Sequence, residues 1–460
     1  MTISELYTLY KQHPIITTDS RVCPTDSIFF ALKGESFDGN TYAGNALHKG
    51  CSFAVVDDAS IYNTYVHDTY SQNDNRMILV DNVLDTLQQL ARLHRQSTGT
   101  TVIGITGTNG KTTTKELTSA VLSKKFNTLY TQGNLNNHIG VPLTLLRLTK
   151  EHEIAVIEMG ANHPCEIRDL VNIAMPDFGL ITNVGYAHIE GFGSFESVVK
   201  TKGELYDYIR SSKGKIFIDR NNKYLTKISE GIDSFTYGDI ADRYLYTKER
   251  EESKKIISEA DTTHFIEGKV LNSHPYLSFE WQLNGKHNQV VKTHLVGDYN
   301  LQNVLAAISV GVYFSVPPEL IRDALENYEP TNNRSQLKRT ASNTLIIDAY
   351  NANPSSMRAA LENFISSKVV SKKAIILGDM RELGEKSPEL HADVIDLANK
   401  YTFEKVLLCG DFFSAVGQKY TCFKTVEELS EYLETNPLRG YDILIKGSRG
   451  IHLEKIIEKL

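Results

Sequence analysis

No Cys-x-x-Cys pair occurs anywhere in the chain. Its five cysteines (Cys23, Cys51, Cys165, Cys409, Cys422) are odd in number and widely scattered, which argues against a disulfide framework and against structural zinc. No run of about 18 apolar residues is present, the length that a membrane span needs. The opening residues 2–13 are polar and lack the apolar core of a signal peptide. A soluble, cytoplasmic protein without membrane insertion is the expectation. Basic residues are not in excess either: 49 Lys and Arg face 56 Asp and Glu, for a formal net charge of −7. That balance argues against nucleic-acid binding, which needs clustered Lys and Arg. Internal repeats and low-complexity segments are also missing. What is there, 41% apolar and 23% charged over 460 residues, is ordinary globular composition. The length suits about three domains of roughly 150 residues each.

Residues 1–98 read as a small α/β unit, with strands expected at 28–32, 52–56 and 77–80 and helical spacing over 83–94. The turn-rich segment 33–40 reads as a solvated loop. From Thr101 strands and helices alternate, with strands expected at 102–106, 154–159, 179–184 and 215–219. Such alternation means a parallel sheet covered by helices, with ligands at the carboxyl ends of the strands. Residues 242–296 lose the alternation and read as a small antiparallel sheet (276–283, 290–295). Helical spacing returns at 300–312 and 320–328, and Pro330 with the polar run 331–333 marks a linker. The last part is another α/β unit of Rossmann-like pattern, with strands at 344–347, 374–377, 406–408 and 443–445. Polar groups close those strands: Asp348, Gly378-Asp379, Gly410-Asp411 and Lys446-Gly447-Ser448-Arg449. The fold expected is thus α/β in three domains, 1–98, 99–330 and 331–460.

The stretch that organises the rest is 101–116, Thr-Val-Ile-Gly-Ile-Thr-Gly-Thr-Asn-Gly-Lys-Thr-Thr-Thr-Lys-Glu. An apolar β-branched run enters a glycine turn, and Lys-Thr-Thr can then start a helix. Gly107, Thr108, Asn109 and Gly110 would bring backbone close to a phosphate, facing the positive end of the helix. Lys111 would reach the outer phosphates and the Thr112 hydroxyl would bind Mg²⁺. The strict spacing G-x-x-x-x-G-K-[ST] is not met, because Ile105 stands where the first glycine belongs. A plain turn is the competing reading; the preceding strand and the two aligned glycines weigh for nucleotide. Two further strand ends fall on the same expected rim: Glu158-Met-Gly-Ala and Asn183-Val-Gly-Tyr-Ala-His188.

Residues 194–209 carry a lysine on the wrong face. At ~100° per residue from Phe195, the residues Val198, Val199, Leu205, Tyr206 and Ile209 fall between about −80° and +40°. Lys202 falls at about −20°, in the middle of that stripe, and Lys200 at about 140°, where a solvated lysine belongs. An inward lysine must snorkel, pair, lose its proton or be chemically changed.

These motifs together resemble the ATP-dependent Mur ligases of peptidoglycan synthesis, and the resemblance covers the whole chain. It rests on Gly107-Thr-Asn-Gly-Lys-Thr-Thr113, Gly133-Asn-Leu-Asn-Asn-His-Ile-Gly140, Glu158-Met-Gly160, the run ending at His188, and Lys202-Gly203. Asn303-Val-Leu-Ala-Ala307 looks like the family's adenine-side helix and Arg334 like its nucleotide-contacting arginine. Asp348-Ala-Tyr-Asn-Ala-Asn-Pro-Ser-Ser-Met357 and Leu377-Gly-Asp-Met-Arg-Glu-Leu-Gly384 are similar to the branch that adds D-alanyl-D-alanine. Two departures stand out. Tyr299 occupies a place where many relatives have His, and Asn162-His-Pro-Cys-Glu166 lacks the Gly that more often precedes the Glu.

The resemblance implies an acid–amino-acid ligase that joins D-alanyl-D-alanine to UDP-N-acetylmuramoyl-tripeptide through an acyl phosphate, and that works as a monomer. ATP would be held by Gly107, Thr108, Asn109, Gly110, Lys111, Thr112 and Thr113, with Asn303, Arg334 and Asp348. Lys111, Glu158, His188 and Lys202 would be catalytic. Mg²⁺ would sit on Thr112, Glu158, His188 and Lys202, the last as a carbamate formed from CO₂, because a lysine ammonium has no oxygen to offer. Ser20, Arg21, Lys33 and Gly34 would hold the uridine diphosphate end, and Asn134 and Asn137 the sugar-peptide part. Tyr350, Asn351 and Asn353 would touch the incoming dipeptide, although a turn of Asn, Pro and Ser is an equally ordinary structural feature. The nearest rival, a folylpolyglutamate-type ligase, lacks a dedicated N-terminal nucleotide-sugar domain. A nucleotide switch would have no use for Glu158, His188 and Lys202 converging on a second metal.

Overall fold

Four short apolar runs build the first sheet. β1 (Ile15–Thr17), β2 (Ser27–Phe30), β3 (Phe53–Val56) and β4 (Met77–Leu79) pair in parallel in that order. The computed structural model describes residues 1–67, 75–239, 265–331, 334–367 and 372–460. Residues 332–333 of the expected linker and the stretch 242–264 of the expected antiparallel region lie outside the described residues. The chain divides into two compact units, one of residues 1–104, 126–160 and 166–177, the other of 105–125, 161–165 and 178–460.

In the first unit, Phe29, Ala54 and Val56 pack against Ala46 and Leu47 of the Ala43–His48 helix. The Val83–Thr98 helix starts where Asn82 accepts the Asp85 N–H and stops at Gly99 in the left-handed region. Its buried side chains Val83, Leu87, Leu90, Ala91 and His94 follow the spacing of one helical face. That face meets the helices Gly140–Leu145 and Glu166–Ala174. β5 (Thr101–Thr106) begins in this unit and ends in the second. β6 (Thr128–Tyr130) and β7 (Ile154–Glu158) run parallel to each other within the first unit.

In the second unit β8 (Phe178–Ile181), β9 (Lys215–Asp219), β10 (Asp233–Asp239) and β11 (Phe265–Asn272) are parallel. β12 (Ser278–Leu283) and β13 (Lys286–Lys292) then turn antiparallel. This antiparallel stretch is hydrogen-bonded to the parallel strands through β10 and β11, so the two share one sheet. The Leu301–Tyr313 helix lies between β9, β10 and β11 and the Lys111–Leu122 helix, which explains why every residue of 301–311 except Gln302 is buried.

The last sheet has the order β14 (Gln336–Arg339), β15 (Thr344–Asp348), β19 (Tyr441–Lys446), β16 (Lys372–Gly378), β17 (Lys405–Cys409), β18 (Thr421–Phe423). Only β14 is antiparallel to its neighbour. Strand alternation divides its core: Ile375 and Leu377 pack with Leu361 and Phe364 on one side, while Ala374 and Ile376 pack with Leu429 and Ile456 on the other. Among the described residues no helix is long and apolar enough to cross a membrane.

Candidate active site

The loop after β5 needs its two glycines. Gly107 has φ +144°, and a Cβ there would stand 2.0 Å from Thr182 Oγ1. Gly110 has φ +78° and a Cβ would meet Asn303 Oδ1 at 2.4 Å. Gly110 caps the Lys111–Leu122 helix without any side-chain acceptor, which leaves the first-turn N–H groups for an anion. The segment after β8 braces the loop. Asn183 O accepts the Thr108 N–H at 2.9 Å, Asn183 Oδ1 accepts the Asn109 N–H at 2.9 Å, and Thr182 Oγ1 donates to Asn109 O at 2.6 Å. Lys111 Nζ folds back over the loop, donating to Gly107 O at 2.8 Å and Thr108 O at 3.1 Å. Thr112 is buried and Thr113 half-buried. Asn303 donates to Asn300 Oδ1 and accepts from Thr114 Oγ1, so it sits between the phosphate loop and the start of its own helix.

Within the first unit, Glu158 closes β7 and is 1% exposed. Its Oε1 accepts from Asn136 Nδ2 at 2.8 Å, and its N–H donates to Thr131 Oγ1 at 3.0 Å. Asn136 lies inside a motif read from the sequence but was assigned no role there; its neighbours were preferred. Asn134 and Asn137 are exposed, and Asn137 Oδ1 accepts the Gly140 N–H at 2.9 Å. Arg21 pairs with Asp19 and holds that carboxyl down at about 2, while Ser20 O accepts from Lys49 Nζ. Lys33 Nζ lies 3.0 Å from Asp57 Oδ1, a hydrogen bond that raises the lysine's pKa. The 33–40 loop is therefore solvated over Lys33–Phe37, with Gly34 exposed, but anchored by the fully buried Asn40, which donates to Asp57.

In the second unit, Lys202 lies on the buried face of the Phe195–Ser212 helix at 2% exposure, with Lys200 exposed, as the wheel requires. Lys202 Nζ donates to Ala161 O at 3.1 Å and stands 5.3 Å from the centroid of the Phe192 ring. His188, at φ +52°, is ion-paired through Nδ1 with Glu382, and this contact holds the Glu382 carboxyl below its usual range.

Around the last sheet, Asp348 ends β15 and pairs with Lys446 at the matching register position of β19. The Arg334 guanidinium lies 3.7 Å from the Tyr350 ring centroid. The half-buried Tyr299 phenol shares a 2.9 Å hydrogen bond with Ser335 Oγ, and desolvation raises its pKa. Asn351 is exposed. Asn353 caps the Pro354–Ser366 helix, accepting the Ser356 N–H at 2.9 Å, and its Nδ2 donates to Asn109 Oδ1 of the phosphate loop at 2.8 Å. Asn109 Nδ2 in turn donates to Ser355 Oγ at 2.9 Å. A cavity of about 220 Å³ opens beside this junction. Ala187 and His188 line one side; the loops after β15, β16 and β19 line the rest through Asn351–Asn353, Arg381, Glu382 and Ser448–Gly450. Lys446, Glu382 and Arg449 had no role in the sequence reading. The one signal available was a lysine closing the apolar strand of Lys446.

Three family models match the chain. The model described as "Mur ligase family, catalytic domain" matches residues 14–95, "Mur ligase middle domain" 105–311, and "Mur ligase, glutamate ligase domain" 333–449. The UDP-N-acetylmuramoyl-tripeptide--D-alanyl-D-alanine ligase of Bacillus subtilis (strain 168) is 33% identical over 455 residues, covering 97% of this chain and 92% of its own. The enzyme of the same name from Escherichia coli (strain K12) is 33% identical over 454 residues, covering 97% and 93%. Among solved structures, MurF from Acinetobacter baumannii matches with a TM-score of 0.81 at 29% identity, over 100% of this chain and 98% of that one. MurF from Thermotoga maritima in complex with ADP matches at a TM-score of 0.78 and 25% identity, over 97% of each.

Proposed function

On the premise that this chain belongs to the Mur ligase family, we propose that it joins D-alanyl-D-alanine to UDP-N-acetylmuramoyl-tripeptide at the expense of ATP. The observation that carries this reading is the junction at Asn109. One side chain of the phosphate loop is hydrogen-bonded to Ser355 and Asn353, on the turn that borders the 220 Å³ cavity. A phosphoryl donor and a small acceptor would thus be held side by side.

An amide cannot form directly from a carboxylate, because oxide is a hopeless leaving group. The γ-phosphoryl of ATP therefore passes to the peptide carboxylate, giving an acyl phosphate; the dipeptide amine attacks its carbonyl and phosphate leaves. Such transfer is mainly positioning and charge neutralisation. Lys111 would leave the carbonyls of Gly107 and Thr108 for the outer phosphates, while the loop N–H groups hold the rest, joined by Thr108, Asn109, Gly110, Thr112 and Thr113. Asn303, Arg334 and Asp348 would complete the nucleotide site. Ser20, Arg21, Lys33 and Gly34 would take the uridine diphosphate, Asn134 and Asn137 the sugar-peptide, and Tyr350, Asn351 and Asn353 the dipeptide.

The residues available suit Mg²⁺. Thr112 and Glu158 are buried oxygen donors, the ligand type this ion prefers, and no cluster of three His, Cys, Asp or Glu is preformed among the described residues. One Mg²⁺ would be held by Thr112 and a second by Glu158, His188 and Lys202, supplying the charge that offsets the repulsion between the carboxylate and the γ-phosphate. Lys202 fits only as a carbamate. Its burial supports this, because desolvation works toward the neutral amine that CO₂ must meet. Domain limits near 98 and 330, a cytoplasmic monomer and no nucleic-acid partner belong to the same reading. Phosphate release from ATP tests it: release should depend on both the nucleotide tripeptide and D-alanyl-D-alanine. Equal release without an amine acceptor would make the chain a nucleotide switch.

A further inference from the structure

The cavity at the carboxyl ends of β15, β19 and β16 holds two guanidinium groups, and they are not equivalent. Arg381 is committed to the wall: its Nη2 donates to Gly450 O at 3.0 Å, its N–H donates to Ser448 Oγ at 3.0 Å, and a Cβ on Gly450 would lie 2.3 Å from its Nη1. Arg449 is exposed; its carbonyl accepts the His452 N–H at 3.1 Å, but its guanidinium makes no hydrogen bond or ion pair with the described residues. That group's one recorded contact is the Tyr350 ring, 5.6 Å away, near the outer limit of cation–π attraction at about 6 Å. The loop beneath it is fixed, since the buried Ser448 accepts from Arg381 and donates to Ala352 O at 3.4 Å. The one carboxylate among the lining residues, Glu382, is paired with His188.

We propose that Arg449 binds the carboxylate of the incoming dipeptide; the assignment rests on the ligase reading above. The acceptor is a zwitterion, and the cavity lining offers one unpaired guanidinium, Arg449, while its carboxylate is already paired with an imidazole. Direction follows from the chemistry. The attacking amine must face the acyl group, which the phosphate-loop side holds, and Ala187 and His188 are the cavity residues from that side. The carboxylate end then points to the loop after β19. Size agrees: 220 Å³ equals the share of about seven waters at ~30 Å³ each, below the usual range of about 300–1,000 Å³ for larger ligands. The cavity has room for two small residues.

The test is a cycle between enzyme and substrate. Steady-state constants are measured for the native enzyme, Arg449→Met and Arg449→Lys, with D-alanyl-D-alanine and with its C-terminal carboxamide. A hydrogen-bonded charge pair predicts that the carboxamide raises the native KM for the dipeptide about tenfold to a hundredfold. Arg449→Met should raise the KM for the free acid by a similar factor and use acid and carboxamide equally. Its KM values for ATP and the nucleotide tripeptide should stay within about twofold, and Arg449→Lys should recover part of the discrimination. Equal loss on acid and carboxamide would make Arg449 a packing residue, and a raised KM for ATP would make it a phosphate contact; either overturns the assignment. If Arg449→Met fails to fold, the native enzyme still decides by whether it rejects the carboxamide, with Arg449→Lys as the second point. Absence of any product from the native enzyme would instead sink the ligase reading, and this contact with it.

Discussion

Removing the ammonium of Lys446 tests whether the C-terminal sheet is held by a charge or by its apolar core. Asp348 and Lys446 are register partners on neighbouring strands, with side chains 17% and 1% exposed. In Lys446→Met the methionine fits the apolar end of β19, but Asp348 keeps a charge without its partner. Breaking a fully buried pair costs about 3–5 kcal/mol, and partial exposure of Asp348 lowers the expectation to about 2–3 kcal/mol. A chain of several domains does not unfold in one step, so a global melting curve is the wrong assay. Hydrogen exchange of the β15 and β19 amides reports local opening directly. At ~1.4 kcal/mol per decade, exchange there should quicken roughly 30- to 140-fold. Replacing both partners, Asp348→Leu with Lys446→Met, should restore most of the protection, because an apolar pair of similar volume is often as stable as a buried ion pair. The double variant should still turn over poorly if Asp348 also serves the nucleotide. Unchanged exchange in the single variant, or a double variant that exchanges as fast as the single, would refute the reasoning.

Lys111→Ala should keep the fold, because the lysine is half-exposed and donates to the carbonyls of its own loop. It should lose a transition-state contact of about 3 kcal/mol, roughly a hundredfold in kcat. Near-native turnover would remove Lys111 from the phosphates. Lys202→Ala should be almost inactive, Lys202→Arg should not restore it, and acetate should rescue the alanine variant in part; an active arginine variant would rule out the carbamate. Gly110→Ala must pay about 1–2 kcal/mol for a left-handed alanine besides pushing Asn303 Oδ1 away from 2.4 Å. Its KM for ATP should rise at least tenfold, and adding Asn303→Gly should relieve the clash but not the backbone strain, so a full recovery would contradict that division.

Long apolar strands were legible in the sequence: the central parts of β5, β7, β9, β16 and β19 fall where pattern put them. The three-residue strands β1, β6 and β18 were not: each carries a Thr and too few residues to display alternation, whereas the equally short β4 is wholly apolar; β10 shows alternation only through Phe235 and Tyr237. Lys202 was found because a charge on an apolar face is visible along one helix. Asn136 and Lys446 were overlooked because their partners, Glu158 and Asp348, are distant in sequence. Polar strand ends also looked alike on paper and differ in space. Asp379 accepts the Phe412 and Phe413 N–H groups at 3.0 and 2.8 Å, capping a neighbouring helix, whereas Asp348 meets a lysine.

Asn353 is bound by two demands that few side chains can meet together. The start of its helix asks for a short acceptor, and Ser or Asp would serve nearly as well as Asn. The bond to Asn109 asks for a donor of amide length, which Asp lacks and Ser cannot extend. Variation at this position is therefore filtered by a contact in a distant segment of the chain. An Asn353→Asp enzyme, sound by every measure of helix stability, would keep the bond from Asn109 to Ser355 and lose the one from Asn353 to Asn109.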